Sequence, residues 1–254
     1  MDVIQVVVAL IGLAVGSFLN VIIHRLPRGV SIVWPPSACA RCGARIRWYD
    51  NVPVVSWLVL RGRCRDCRAP IAIRYPIVEL VTLGAFLACY WYFGPSLLLV
   101  SRLLFAAALI ALFAIDLEHQ RLPDAITLPG IAAGLLFSLL LPPGFRDALV
   151  GAAVGYGSLW FIAELWWRLR HVDAMGGGDL KMLAMVGAFL GWKMVIVTFA
   201  ISSIVGGLFA VVLLAARRTT MTTAVPYGTF LAIAAFAASL WGQWLMDWYL
   251  SFYL

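Results

Sequence analysis

Four cysteines and two aspartates are the residues of this sequence best equipped to do chemistry. Cys39-Ala40-Arg41-Cys42 and Cys64-Arg65-Asp66-Cys67 form two CxxC pairs separated by 21 residues. That spacing suits two tight turns, each presenting a pair of thiolates, and four thiolates close a tetrahedral structural zinc site with no open position for a substrate. The arginines around them favour the thiolate form. Two disulfides are the alternative, and they require an oxidising compartment. Cys89 lies in an apolar run and reads as a small buried side chain.

Asp116, in Ala114-Ile115-Asp116-Leu117-Glu118-His119, ends one apolar stretch, and Asp179, after Gly176-Gly177-Gly178, opens another. An ionisable group at the end of a membrane span is costly, and so a candidate for function. Two carboxyls brought together in a poorly hydrated site share a proton, so that one serves as general base on a water and the other as general acid. That is the chemistry of an aspartic peptidase. The three glycines let an extended substrate backbone come close, and a helix N-terminus favours Asp179 as the charged partner. Glu118 and Asp124 compete with Asp116; Asp124, following Pro123, reads as helix-start chemistry and Glu118 as a solvated acid. Lys181 either tunes the pair or belongs to the loop-charge pattern. The plainer reading makes Asp179 a helix cap and Asp116 an interfacial end-of-helix residue.

The elements that must position these groups are membrane helices. Of 254 residues, 63% are hydrophobic and 12% charged, and the mean hydropathy is +0.96, which excludes a soluble globular enzyme. Apolar stretches over Val3–Ile23, Ile77–Phe93, Leu97–Ile115, Ala125–Leu141 and Leu149–Trp167 read as five spans. The stretch from Leu180 to Ala216 is too long for one span and divides at Gly191-Trp192-Lys193 into a short sixth helix and a seventh; an eighth begins near Val225. The expected fold is an all-α polytopic bundle of about eight transmembrane helices: a first helix over 1–23, a cysteine loop over 24–75, and a peptidase bundle over 76–254.

The net charge of +7 is concentrated between His24 and Tyr75, where ten arginines face two aspartates. Basic residues are retained on the cytoplasmic side, so this loop is expected in the cytoplasm with the N-terminus outside. That topology places 16 basic residues inside and three outside, and no nucleic-acid partner is implied. The first helix has no basic residue before it and is read as retained rather than cleaved. His24, His119 and His171 are expected against lipid headgroups, Asn20 in a helix–helix contact and the tryptophans in an interfacial belt.

Taken together, the motifs resemble the type IV prepilin peptidases, bifunctional leader peptidases and N-methyltransferases of the GxGD intramembrane aspartic protease class. The resemblance rests on Gly16-Ser17-Phe18-Leu19-Asn20 through Arg25-Leu26-Pro27, both CxxC pairs, and Arg74-Tyr75-Pro76-Ile77-Val78-Glu79-Leu80. It continues through Asp116-Leu117-Glu118-His119, Leu122-Pro123-Asp124, Met175-Gly176-Gly177-Gly178-Asp179-Leu180-Lys181 and Pro226-Tyr227-Gly228-Thr229-Phe230. It implies Asp116 and Asp179 as the catalytic pair, and Gly177 stands where the family usually has an aromatic residue. It also implies a prepilin or type II secretion pseudopilin as substrate, a bacterial inner-membrane location, and methylation of the new N-terminus from S-adenosylmethionine, with Glu79 as a candidate near that cofactor. No dinucleotide-type glycine loop supports the cofactor independently. A transporter or scaffold using the same acids for ions is the alternative from another class, and a preflagellin peptidase without methyl transfer the alternative within the enzymes.

Overall fold

The structure is a computed structural model that describes residues 2–171, 176–216 and 226–252. Among them the secondary structure is helical: α1 (Val3–Arg25), α2 (Val55–Val59), α3 (Arg74–Phe93), α4 (Leu97–His119), α5 (Asp124–Phe137), α6 (Phe145–Arg170), α7 (Gly177–Leu190), α8 (Trp192–Ala215) and α9 (Tyr227–Leu250). Six of these, α1, α3, α4, α6, α8 and α9, are long and apolar enough to cross a membrane, whereas α5 and α7 have 14 residues each. The chain is a multi-pass membrane protein. The expected break at Gly191 is present, because this residue holds φ +82 between α7 and α8. Met175 and Val225, which the sequence reading placed at a motif and at a span start, lie outside the described residues.

Helix ends depart from the apolar boundaries where local chemistry overrides hydropathy. α3 starts at Arg74 rather than Ile77, with Pro76 in its first turn, where a missing N–H costs nothing. α5 stops at Phe137 rather than Leu141, and the Ser138 hydroxyl there bonds the Leu135 carbonyl at 2.6 Å. α6 starts at Phe145, directly after Gly144 at φ +88. The cysteine segment, expected only as a loop, carries the short helix α2.

The chain divides into two compact units, Met1–Ala111 and Leu112–Leu254. In the first, α1 and α3 pack together along a seam of small residues. A Cβ on Gly12 would lie 3.0 Å from Leu83 Cα, and one on Gly16 would lie 2.7 Å from Glu79 Cα. One helical turn on, the buried Asn20 donates through Nδ2 to the Tyr75 carbonyl at 3.0 Å, which is the interhelical role expected of it. The opposite end is closed by Asp2, which accepts from Gln5 N–H and from the Tyr90 hydroxyl, each at 2.8 Å. Lipid gives no hydrophobic drive for helix association, so such close backbone approach and buried polar contacts hold the pair.

In the second unit, α7 is the central element, and every residue from Met182 to Leu190 is buried. Gly151 and Gly155 of α6 lie against it so closely that a Cβ on Gly187 would meet the Gly151 carbonyl oxygen at 2.1 Å. On another side, a Cβ on Gly134 of α5 would lie 2.9 Å from Ala188 and Phe189. Gly187→Ala is therefore expected to destabilise the protein by about 2 kcal/mol through overpacking. Gly157→Ala, whose Cβ would meet nothing within 4 Å, should be neutral or slightly stabilising. Thermal unfolding of the two variants in detergent compares them directly.

Candidate active site and metal centre

Asp116 lies one turn before the end of α4, where Gln120 takes a left-handed backbone (φ +50) and its N–H closes the helix on the Asp116 carbonyl at 2.8 Å. The chain then runs through Leu122 and Pro123 into α5. The Asp116 side chain is buried, and its Oδ2 accepts from the Thr229 N–H at 2.8 Å and the Thr229 hydroxyl at 3.1 Å. Thr229 is the third residue of α9, so its N–H is one of the donors that a helix start leaves without an intrahelical partner. Asp116 thus caps α9 from another helix, at the positive end of its dipole.

Asp179 sits in the first turn of α7, half-buried, with its N–H bonded to the Gly176 carbonyl at 3.1 Å. It too occupies the positive end of a helix. Leu122 lies beside both acids. A Cβ on Gly178 would meet Leu122 Cβ at 2.7 Å, and one on Gly228 would meet Leu122 Cδ1 at 2.9 Å and Asp116 Oδ2 at 3.0 Å. Leu122 thus packs against the glycine beside each acid, and any larger residue at either position would displace it. On Gly177 a Cβ would meet nothing within 4 Å, so the residue that stands in place of the family's usual aromatic opens space rather than filling a contact.

The remaining sequence candidates separate clearly. Glu118 is exposed, as expected. Asp124 opens α5, and both its oxygens accept from Lys181 Nζ at 2.7 Å, which ties the start of α5 to α7. Lys181 therefore has a defined partner that neither sequence reading of it named. Glu79 is buried, and its Oε2 accepts the Val54 N–H at 2.7 Å, holding the cysteine loop to α3. Thr229 went unremarked in the sequence except as one letter of a motif. The signal was the order Pro226-Tyr227-Gly228-Thr229, which puts a hydroxyl and a free N–H together in the first turn of a helix.

In the loop the four cysteine sulfurs all lie within 4.8 Å of one another, and Cys39 Sγ and Cys67 Sγ are 3.7 Å apart. A tetrahedral zinc with bonds of about 2.3 Å separates its sulfurs by about 3.8 Å, so the set fits that ion. Each pair sits in the same turn. Cys39 N–H bonds the Ala44 carbonyl and Gly43 N–H the Cys39 carbonyl, both at 2.9 Å; Cys64 N–H bonds Ala69 at 2.8 Å and Arg68 N–H bonds Cys64 at 3.1 Å. Gly43 (φ +70) and Arg68 (φ +58) hold the equivalent left-handed positions. Backbone N–H groups of Cys42 and Arg41 lower the Cys39 thiol to about 6, while burial and the neighbouring sulfurs push Cys42 up to about 12, so the four sulfurs share their protons unequally until a metal displaces them. Cys89 is buried and apart from this cluster, as expected.

Two family models match the chain: Bacterial Peptidase A24 N-terminal domain over residues 10–93 and Type IV leader peptidase family over residues 103–211. Among curated proteins, the prepilin leader peptidase/N-methyltransferase of Pseudomonas aeruginosa is 40% identical, with 96% of this chain and 92% of that protein aligned. That of Myxococcus xanthus is 44% identical over 86% and 67%, and that of Aeromonas hydrophila 39% identical over 97% and 94%. No solved structure matches the chain. A buried acid capping one helix and a second acid opening another thus occur in a chain that belongs to the type IV leader peptidase family.

Proposed function

We propose that this chain is a membrane aspartic endopeptidase and N-methyltransferase of the bacterial inner membrane, that it removes the short basic leader from type IV prepilins or pseudopilins at the cytoplasmic face, and that Asp116 and Asp179 are its acid–base pair. The observation that carries the assignment of the pair is their convergence beside Leu122 at the N-termini of α9 and α7. Family membership favours an enzyme over a transporter or scaffold, and the match to the bacterial N-terminal domain favours the bifunctional peptidase over the preflagellin type.

In this reading Thr229 fixes one oxygen of Asp116, and the other is the one that exchanges a proton with the attacking water. The two carboxyls share one proton. The ionised one takes a proton from a water as its oxygen attacks the peptide carbonyl; the protonated one then gives its proton to the leaving amine, which breaks the C–N bond and restores the shared proton. Gly176, Gly177 and Gly178 leave the approach to Asp179 free of side chains, so an extended peptide can lie against the loop. Cys39, Cys42, Cys64 and Cys67 would hold zinc, which supplies folding free energy and no open coordination site. S-adenosylmethionine supplies the methyl group that the relatives' name implies. Glu79, its sequence candidate, already accepts the Val54 N–H and so is tied to the cysteine loop.

Mass spectrometry of a full-length prepilin incubated in lipid with the purified chain and S-adenosylmethionine should show loss of the leader and gain of one methyl. Asp116→Asn and Asp179→Asn should each lower the cleavage rate by about a thousandfold or more while the bundle unfolds at the same temperature. Cleavage retained by both variants would overturn the pair. Thr229→Val should lower kcat by roughly tenfold through a misplaced carboxyl, with Thr229→Ser restoring it. The loop gives a separate expectation, read by metal analysis and hydrogen exchange. The wild-type chain should carry one zinc, and Cys42→Ser should lose it together with exchange protection over residues 38–70 but not over α1.

A further inference from the structure

The loop between α1 and α3 contains an uncharged run, Val52-Pro53-Val54-Val55-Ser56-Trp57-Leu58-Val59-Leu60, inside a segment that supplies ten of the chain's arginines. Its helix α2 has one face turned to the loop. Ser56 is buried, with its hydroxyl donating to the Tyr49 carbonyl at 2.9 Å, and Trp57 Nε1 donates to the Ile71 carbonyl at 3.2 Å. The other face carries Val55, Leu58 and Val59, exposed by 55, 61 and 70%, at the i, i+3, i+4 spacing of one helical stripe.

The height of this stripe is set by Glu79. Glu79 lies five residues into α3, about 7.5 Å along its axis, and it accepts the N–H of Val54, the residue that precedes α2. α3 is 20 residues long, about 30 Å, which is the thickness of the hydrocarbon core. The start of α2 is therefore held level with the first turns of α3, at the depth where headgroups give way to acyl chains.

Beside the stripe, Val59, Leu60, Arg61, Arg63 and Arg68 line a cavity of about 540 Å³. Both acids of the loop are engaged elsewhere: Asp50 with Arg65, and Asp66 with Arg47 at 4.0 Å. Arg61, Arg63 and Arg68 have no acidic partner among the described residues, so the cavity sets three guanidiniums without acidic partners beside Val59 and Leu60. Arg68 also keeps a left-handed backbone where the equivalent residue of the first knuckle is Gly43, so its side chain is retained at a position that favours glycine.

We propose that this face docks on the bilayer, with Val55, Leu58 and Val59 inserted among the lipids and the Arg61, Arg63 and Arg68 cavity binding the phosphate of an anionic phospholipid. An arginine matches a phosphate with paired N–H donors, and the exposed stripe of Val55, Leu58 and Val59 meets the acyl chains beside it. The inference is independent of the catalytic assignment.

The test uses the full-length, zinc-loaded chain in nanodiscs of phosphatidylcholine with or without phosphatidylglycerol. Native mass spectrometry reads retained lipid and hydrogen exchange reads residues 52–60. The triple variant Arg61→Gln, Arg63→Gln, Arg68→Gln is compared with a control of equal charge change, Arg28→Gln, Arg41→Gln, Arg45→Gln, each checked for zinc content. Phosphatidylglycerol should slow exchange over 52–60, and its affinity should fall by roughly fivefold per arginine removed from the cavity while the control keeps it. Leu58→Ser should lose the exchange protection with zinc intact. An equal loss in both triple variants would reduce the effect to diffuse loop charge and overturn the site. Complete displacement of phosphatidylglycerol by inorganic phosphate would make it a free-anion site, and protection of 52–60 that requires a prepilin rather than anionic lipid would make it a substrate face; either result overturns the proposal.

Discussion

A carboxyl group buried among membrane helices needs donors that lipid cannot give, and Asp116 takes them from the start of α9. The bond serves both partners, because the first turn of a helix leaves N–H groups without acceptors and carries the positive end of the dipole. The end of α4 and the beginning of α9 therefore satisfy each other. The demands of this arrangement extend outward through glycine. Gly228 must lack a Cβ for Asp116 and Leu122 to reach α9, and Gly178 must lack one for the same leucine to lie beside Asp179. The rest of the second unit then holds α7 in place, with Gly134, Gly151 and Gly155 letting α5 and α6 close on it.

The metal loop solves a different problem by the same economy. It has few apolar residues with which to build a core, so its order comes from two repeated turns around four sulfurs and from the Val54–Glu79 bond to α3. Trp57 covers Gly62 at 2.9 Å from the position of a Cβ, which packs α2 onto the second knuckle. The loop is thus fastened to its membrane helices by a carboxylate and ordered internally by its knuckles.

Much of this was legible in the sequence because membrane physics writes in long words. Apolar runs bounded by Gly94-Pro95 or Pro142-Pro143-Gly144 gave the spans, and Gly191-Trp192-Lys193 gave the break between α7 and α8, since a glycine between two helical runs is a strong stop. The cysteine pairs were equally plain, because their spacing has little other use. Less visible were features that depend on which helices meet. Gly12, Gly16 and Asn20 fall four residues apart, yet only the packing of α3 shows them to be one seam. Thr229 gains its role only from Asp116, 113 residues away in the chain. α2 is hidden by its length, because five residues give no periodicity, and the two readings of Lys181, tuning the acid pair or loop charge, both miss Asp124, its partner across 57 residues.

The brevity of α7 has its own consequence. Fourteen residues make a helix of about 21 Å, some 9 Å less than the hydrocarbon thickness. Its far end is followed at once by Trp192 and Lys193, whose ammonium lies over the indole ring, a pairing suited to an interface. With that end anchored, Asp179 lies about 18 Å away along the axis, short of the opposite surface. Because Met182–Leu190 are enclosed by protein, the shortfall is made up by neighbouring helices and not by lipid. The length of α7 is thus set by the helices that enclose it, which keep Asp179 at the head of a segment buried from Met182 to Leu190.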